Sequence, residues 1–348
     1  MNIFERWGLY HINRYIDANT YLFRRLPLQH VTKTAIIISF IIGFGITLLV
    51  ASGDVIFFSD LSEVITSPGQ IAFFIAINIG LIAIEFWLLF HIGFQVVARY
   101  VVSLEQELCL DQQMKASLVR AILELNEPNI ERFGLNPYRK KNRHYWIQLL
   151  FYKMKVILSN FIGKMIARKV LSRLGLRAYA PFISTVITGL WDAWIQGAVL
   201  KEVRFRLAGR LYALRLLNTI EFECVMSDAL ETLIRLIAVR IELFGQYSHN
   251  LDYMITELDN KVIGSVNDLT ELFDVKRLES VYLKLSASEQ KKMAHTAVIL
   301  LAFKRSRLTH EEACLLSLFH IEPETVGQTK KQFDQLFQNQ KNDLLMEI

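Results

Sequence analysis

The clearest feature of the hydrophobic pattern is a pair of long apolar stretches near the start of the chain. Residues 34–53 contain no charged side chain, and residues 71–98 contain one, Glu85. Twenty helical residues rise about 30 Å, which matches the hydrocarbon core of a bilayer. The pattern therefore predicts a transmembrane hairpin over residues 34–98, with spans at about 34–53 and 71–95.

Charged residues flank these stretches unevenly. The connecting segment 54–70 contains three acids and no lysine or arginine, whereas the segment 1–33 contains five basic residues. These five are Arg6, Arg14, Arg24, Arg25 and Lys33. Lysine and arginine collect on the cytoplasmic side of membrane proteins. We therefore expect a multi-pass protein of the inner (cytoplasmic) membrane, with both termini in the cytoplasm and a short acidic external loop.

Small residues recur every four positions in three apolar stretches, which places them on one face of each predicted helix. Such faces let two helices approach closely within a membrane. The helix-packing positions predicted in this way are Ser39, Gly43, Thr47, Ala72, Ala76, Gly80, Gly189 and Gly197. The stripes in the two spans serve contact either within the hairpin or between chains, and the third stripe indicates another close helix contact.

Glu85 is the one charged side chain within the second apolar stretch, and Asn78 precedes it by two helical turns on the same face. Ionisable groups inside a span are rare, and each one is a candidate functional residue. Two interpretations remain open at this point. Glu85 either has a packing or interfacial role near the cytoplasmic end of the span, or it lines an ion or proton pathway together with Asn78.

The segment 1–33 is predicted to contain a cytoplasmic helix, because aromatic and arginine residues interleave along it until Pro27. Amphipathic helices of this composition lie at the level of the lipid headgroups. A helix packed on the cytoplasmic domain fits the same pattern equally well.

A long basic stretch follows the hairpin. Residues 132–191 contain no Asp or Glu and twelve Lys or Arg residues, interleaved with aromatic side chains. A surface of this kind can bind nucleic acid or anionic lipid. The two spans tether it beside a membrane, where each basic residue near the surface contributes about 1 kcal/mol to membrane binding. We therefore expect contact with anionic lipid headgroups and no nucleic-acid partner. The predicted contacts are Arg139, Lys140, Lys141, Arg143, Lys153, Lys155, Lys164, Arg168 and Lys169.

A third apolar stretch, at 178–200, has Asp192 as its one charged residue. Basic residues precede and follow it, so both of its ends favour the cytoplasm. We expect a buried helix in a cytoplasmic bundle, predicted as a domain at 99–279. A helix that dips into the membrane, or crosses it, is the alternative.

The order of these features is itself informative. A basic amphipathic lead-in precedes an apolar helix punctuated by Gly175, Pro181, Gly189 and Gly197, and a second basic run, KEVR, follows it. Over residues 150–215 this succession resembles the EcsC-type family of bacterial membrane-associated proteins. The resemblance implies a bacterial, helical, membrane-associated protein, and it implies no catalytic or cofactor-binding residue.

The remainder of the chain is acidic. Residues 216–348 contain 14 basic and 20 acidic residues, whereas residues 1–215 contain 25 and 14. Apolar residues recur with heptad spacing over 230–262, which predicts either a helix of the bundle or a seam for a partner. Capping-box spacing at Ser286 and at Thr309, followed by Pro323, predicts three short helices. We therefore expect a small acidic helical subdomain at 280–348.

Composition narrows the function further. Only 21% of residues are charged and the mean hydropathy is +0.28, whereas soluble domains are typically about 25% charged. The sequence contains no GxxxxGK, GxGxxG or GxSxG motif, and these motifs serve phosphate binding and nucleophilic catalysis. We expect an all-α protein, with a two-helix transmembrane hairpin followed by a cytoplasmic α-helical bundle domain. Its expected role is non-enzymatic and cofactor-free, as the anchor of a scaffold or adaptor that binds an unidentified protein or itself. An oligomeric transporter or channel is the alternative.

Overall fold

The structure is a computed structural model. It describes residues 3–18, 22–58, 68–104, 112–123, 180–219, 228–244, 249–261, 274–303 and 308–336. Within these ranges all regular secondary structure is helical, so the predicted all-α class is confirmed. The helices are α1 (Ile3–Ala18), α2 (Leu28–Phe58), α3 (Pro68–Leu104), α4 (Gln112–Ile122), α5 (Ala180–Thr219), α6 (Asp228–Phe244), α7 (His249–Lys261), α8 (Val275–Tyr282), α9 (Ala287–Ala302), α10 (His310–Leu318) and α11 (Pro323–Gln335).

The described helices belong to two compact units. The N-terminal unit contains α1 to α4 and the first part of α5, through Val203. The C-terminal unit contains the rest of α5, from Arg204, together with α6 to α11. The domain boundaries predicted from the sequence, at residues 33, 98 and 279, stay predictions.

Two helices of the N-terminal unit are long and apolar enough to cross a membrane. The qualifying segments are Leu28–Ser52 in α2 and Ala76–Leu104 in α3, judged by length and composition. α2 begins immediately after Pro27, whose carbonyl accepts a hydrogen bond from His30 N at 2.9 Å. α2 and α3 pack against each other. Both predicted apolar helices are therefore present, and they are longer than the apolar stretches alone require.

α1 packs on α3 and α4 within the same unit. Arg120 Nε donates to Glu5 Oε1 at 2.7 Å, and both side chains are about nine-tenths buried. Lys115 Nζ donates to Asn13 Oδ1 at 2.9 Å. The predicted N-terminal helix is thus held against protein along one face by charge-assisted hydrogen bonds.

Local sequence signals account for the helix starts in the C-terminal unit. Ser286 and Thr309 each form a complete capping box with the glutamate three residues later. Pro323 occupies the first turn of α11, where its missing N–H needs no acceptor. The three predicted starts are confirmed. The described heptad positions of α6 and α7, such as Leu230, Ile237 and Leu251, are buried in the core of the unit.

Candidate functional site

The first part of α5 approaches α2 closely, and glycines make the approach possible. A Cβ atom on Gly189 would lie 2.9 Å from the carbonyl oxygen of Phe40, and one on Gly197 would lie 3.3 Å from Ile36 Cδ1. At Gly43 the space that a side chain would need is filled by the Asp192 carboxyl group. Three of the predicted packing glycines therefore lie at one interface, between α2 and α5.

The other predicted packing positions have different surroundings. Ser39 and Thr47 are buried on α2, and Ser39 Oγ donates to Ala35 O at 2.9 Å. Ala76 is exposed, and a Cβ on Gly80 would meet no other atom within 4 Å among the described residues. Ala72 lies in the first turns of α3. The described positions of the small-residue stripe on α3, Ala76 and Gly80, therefore do not lie at a close helix contact.

Two carboxyl groups meet in the interior of the N-terminal unit. Glu85 of α3 and Asp192 of α5 form a side-chain hydrogen bond. Their side chains are only 3% and 6% exposed. A hydrogen bond between two carboxyl groups needs a proton on one of them, because two ionised carboxylates have no donor between them. The sequence identified Glu85, but it assigned Asp192 no partner.

Further polar groups surround this pair. Thr185, Thr188 and Gln196 of α5 are buried on the helix face that carries Asp192. In the described part of the chain, Asp192 Oδ2 and Gln196 Nε2 have no hydrogen-bond partner. Asn78 is half-buried and lies two turns before Glu85 on α3. These apolar helices therefore bury a group of polar side chains. We name this group the polar interior, and its members are Glu85, Asp192, Gln196, Thr185 and Thr188.

A second cluster joins α1 to the later part of α3. The His11 and His91 ring centroids are 4.6 Å apart, and Trp7 contacts both His91 and Phe94 edge-to-face. Burial lowers the pKa of His11, and the charges of His91 and Arg14 lower that pKa further. Sequence reasoning missed this cluster because its members are about 80 residues apart and form no motif.

The nine basic residues predicted to contact lipid lie outside the described residues. Among the described residues, no group of three or more His, Cys, Asp or Glu side chains is arranged to hold a metal ion. Glu312 forms the capping box of α10 together with Thr309.

Comparison with known proteins adds no assignment. The chain matches no family model, and neither a curated protein nor a solved structure matches it. The resemblance of residues 150–215 to the EcsC-type family therefore stays a prediction. The interpretation of the site depends on its geometry alone.

Proposed function

We propose that the chain is an integral membrane protein whose N-terminal unit anchors the C-terminal helical unit at the inner leaflet of a bacterial cytoplasmic membrane. The anchored unit serves as a non-enzymatic scaffold or adaptor. In this proposal both termini are cytoplasmic, the basic stretch over 132–177 contacts anionic headgroups, and the acidic C-terminal region binds a protein partner.

The observation that supports the anchor is the apolar exposed face of α2 and α3. Ser39, Thr47 and Glu85 are buried, while large apolar side chains are exposed. In water exposed apolar side chains are unfavourable, because their hydration costs free energy. In lipid they make favourable contacts, and the polar side chains of membrane helices face the protein interior. The exposed apolar side chains are Ile37, Ile41, Leu49, Phe73, Ile77, Ile79, Ile84 and Trp87.

The exposed surface of the C-terminal unit is poor in large apolar side chains, which supports its placement in water. Of its described residues, Leu283 is the one large hydrophobic side chain that is exposed. Its interior is mainly apolar, from Leu233 and Ile237 of α6 to Leu300 of α9, and it also buries the charged side chains of Arg235, Arg240 and Glu312. A surface with so few large apolar side chains is expected of a water-exposed helical protein.

A matched pair of lysine substitutions tests the anchor. Ile41 and Leu283 are 58% and 65% exposed, and the proposal places the first in lipid and the second in water. A lysine in a membrane helix costs about 2.5–3.5 kcal/mol on insertion scales. We expect Ile41→Lys to lower the fraction of chain that resists alkaline carbonate extraction, and Leu283→Lys to leave it unchanged. Complete extraction of the wild-type chain by carbonate would contradict the proposal.

Crosslinking in native membranes tests the adaptor role. We expect crosslinks from the acidic C-terminal region to a second protein species. Crosslinks confined to copies of the same chain would replace the adaptor role with self-association.

A second candidate function, an oligomeric transporter or channel, is favoured by the Glu85–Asp192 hydrogen bond. Carboxyl groups that exchange a proton within a membrane are the working parts of many proton pathways. In proteoliposomes with a pH gradient, this function predicts proton flux that is lost in Glu85→Gln and in Asp192→Asn. Unchanged flux in both variants would leave the carboxyl pair with a packing role.

A further inference from the structure

The outer face of the first part of α5 is apolar and exposed. Its side chains recur at helical spacing, and their exposed fractions range from 38% to 59%. They are Ile183, Val186, Ile187, Leu190 and Trp194. The opposite face of the same segment carries the buried polar interior. The segment therefore has the polarity distribution that α2 and α3 have, with apolar side chains outside and polar ones inside.

The contacts of α5 place this segment beside the two candidate spans. Gly189 lies against Phe40 and Gly197 against Ile36, both within Leu28–Ser52. Asp192 is hydrogen-bonded to Glu85, within Ala76–Leu104. Consequently this segment of α5 packs beside both candidate spans within one compact unit.

We propose that residues 183–197 form a third membrane-embedded helix, which dips into the bilayer without crossing it, so that both termini stay cytoplasmic, and whose outer face contacts the acyl chains. The inference rests on the proposed function, because it needs α2 and α3 to lie in the membrane. We assign lipid as the occupant of this apolar face, because Gly189, Gly197 and Asp192 hold the segment against the two candidate spans. This membrane-embedded helix is proposed in place of the buried helix of a cytoplasmic bundle that the basic flanks predict.

The proposal also gives the carboxyl pair a physical setting. An apolar helix that contacts lipid outside must satisfy its polar side chains inside, since hydrocarbon offers no hydrogen bonds. Glu85 and Asp192 provide that partnership across the α3–α5 contact. Without a polar partner on α3, Asp192 would oppose membrane placement of this segment.

Two tryptophans make the test direct. Trp87 of α3 and Trp194 of α5 are 51% and 53% exposed. Two full-length variants retain only Trp87 or only Trp194, with the other tryptophans replaced by phenylalanine, and are reconstituted into vesicles of phosphatidylcholine with brominated acyl chains. Bromine quenches tryptophan fluorescence on contact. We expect comparable bromine quenching of both tryptophans, and little quenching by aqueous acrylamide.

The outcomes separate the two proposals. If Trp87 is quenched by bromine while Trp194 is quenched by acrylamide alone, the third membrane helix is overturned and the anchor stands. If neither is quenched by bromine, the anchor itself is overturned. Trp194 shielded from both quenchers also overturns the lipid contact and indicates a covering protein.

A thiol measurement covers the case in which the tryptophan variants do not fold. Leu190 lies on the same apolar face and is 59% exposed. In a chain whose three cysteines are serine, a cysteine introduced by Leu190→Cys is expected to resist a charged impermeant maleimide from either side of intact vesicles, because the acyl chains exclude the reagent and disfavour the reactive thiolate. It is expected to react with the same reagent after detergent and denaturant expose it. Fast reaction with the impermeant reagent in intact vesicles would overturn the inference.

Discussion

Glu312 both caps a helix and pairs with a buried arginine, and the sequence pattern indicates only the cap. Its Oε2 atom accepts from Thr309 N at 2.7 Å, which completes the capping box of α10. Its Oε1 atom lies 3.9 Å from Arg240 Nη1, and both side chains are essentially fully buried. Burial lowers the pKa of Arg240 to about 10, while the charge of Glu312 opposes this. Arg240 is therefore still cationic at neutral pH, and Glu312 compensates its charge inside the C-terminal unit.

The first prediction compares the two capping-box glutamates. Glu312→Gln keeps a capping acceptor but removes the negative charge beside a buried guanidinium, and breaking a buried pair in this way costs about 3–5 kcal/mol. Glu289→Gln is the same change in the capping box of α9, where the glutamate has no buried cationic partner in the described residues, and we expect a much smaller loss of stability because solvent screens its charge. Denaturant unfolding of the C-terminal unit measures both. Equal losses would show that Arg240 does not depend on Glu312.

The second prediction concerns the docking of α1 through His11. The pKa of His11 in the folded state is lowered below its ordinary value of 6.5. Below about pH 6.5 the unfolded chain therefore binds a proton at His11 more readily than the folded chain does. Docking is therefore most stable above about pH 6.5 and weakens below it. We expect the Tm of the wild-type chain to fall more between pH 7.5 and 5.5 than that of His11→Phe, which keeps an aromatic ring. Identical pH profiles would assign the dependence to other groups.

At the scale of helices, the sequence predicts local features better than partners. The caps at Ser286 and Thr309 depend on residues three positions apart, so their pattern contains the whole interaction. A small-residue stripe marks a face but not the helix that covers it. Gly43 and Gly189 lie at the α2–α5 interface, whereas Gly80, with the same spacing signal, faces open space. Long-range pairing of helices requires the fold, as the Glu85–Asp192 contact also shows.

The third prediction compares alanine substitutions at Gly80 and Gly189. Gly80→Ala adds a methyl group in open space and removes backbone freedom from the unfolded chain, so we expect a slight gain of up to about 1 kcal/mol. Gly189→Ala places its methyl group 2.9 Å from the backbone oxygen of Phe40, which cannot move without displacing α2. We expect a loss of about 1–3 kcal/mol, typical of overpacking. Thermal unfolding in detergent measures both, and a gain at Gly189 would contradict the close α2–α5 contact.

At the scale of the whole molecule, sequence and structure carry different parts of the argument. The structure shows which side chains are exposed. Apolar side chains are exposed on α2, α3 and α5, whereas Leu283 is the one large hydrophobic side chain exposed in the described part of the C-terminal unit. The sidedness comes from the sequence, because basic flanks and an acidic connecting loop distinguish the two faces of a membrane. Neither identifies a partner, since a binding surface on a helical unit has no motif comparable to a catalytic one.

The last prediction tests sidedness directly. In a chain whose three native cysteines are serine, single cysteines are introduced by Ser59→Cys, Ser67→Cys, Asn2→Cys and Asn342→Cys, all at positions outside the described residues. Because the loop at 54–70 has three acids and no basic residue, we expect an impermeant maleimide to label positions 59 and 67 on intact cells. Positions 2 and 342 are expected to react only after permeabilisation, which serves as the control for reactivity. Labelling of the termini but not of the loop on intact cells would reverse the orientation, and it would place the basic stretch at 132–177 on the wrong side for the inner-leaflet contact proposed above.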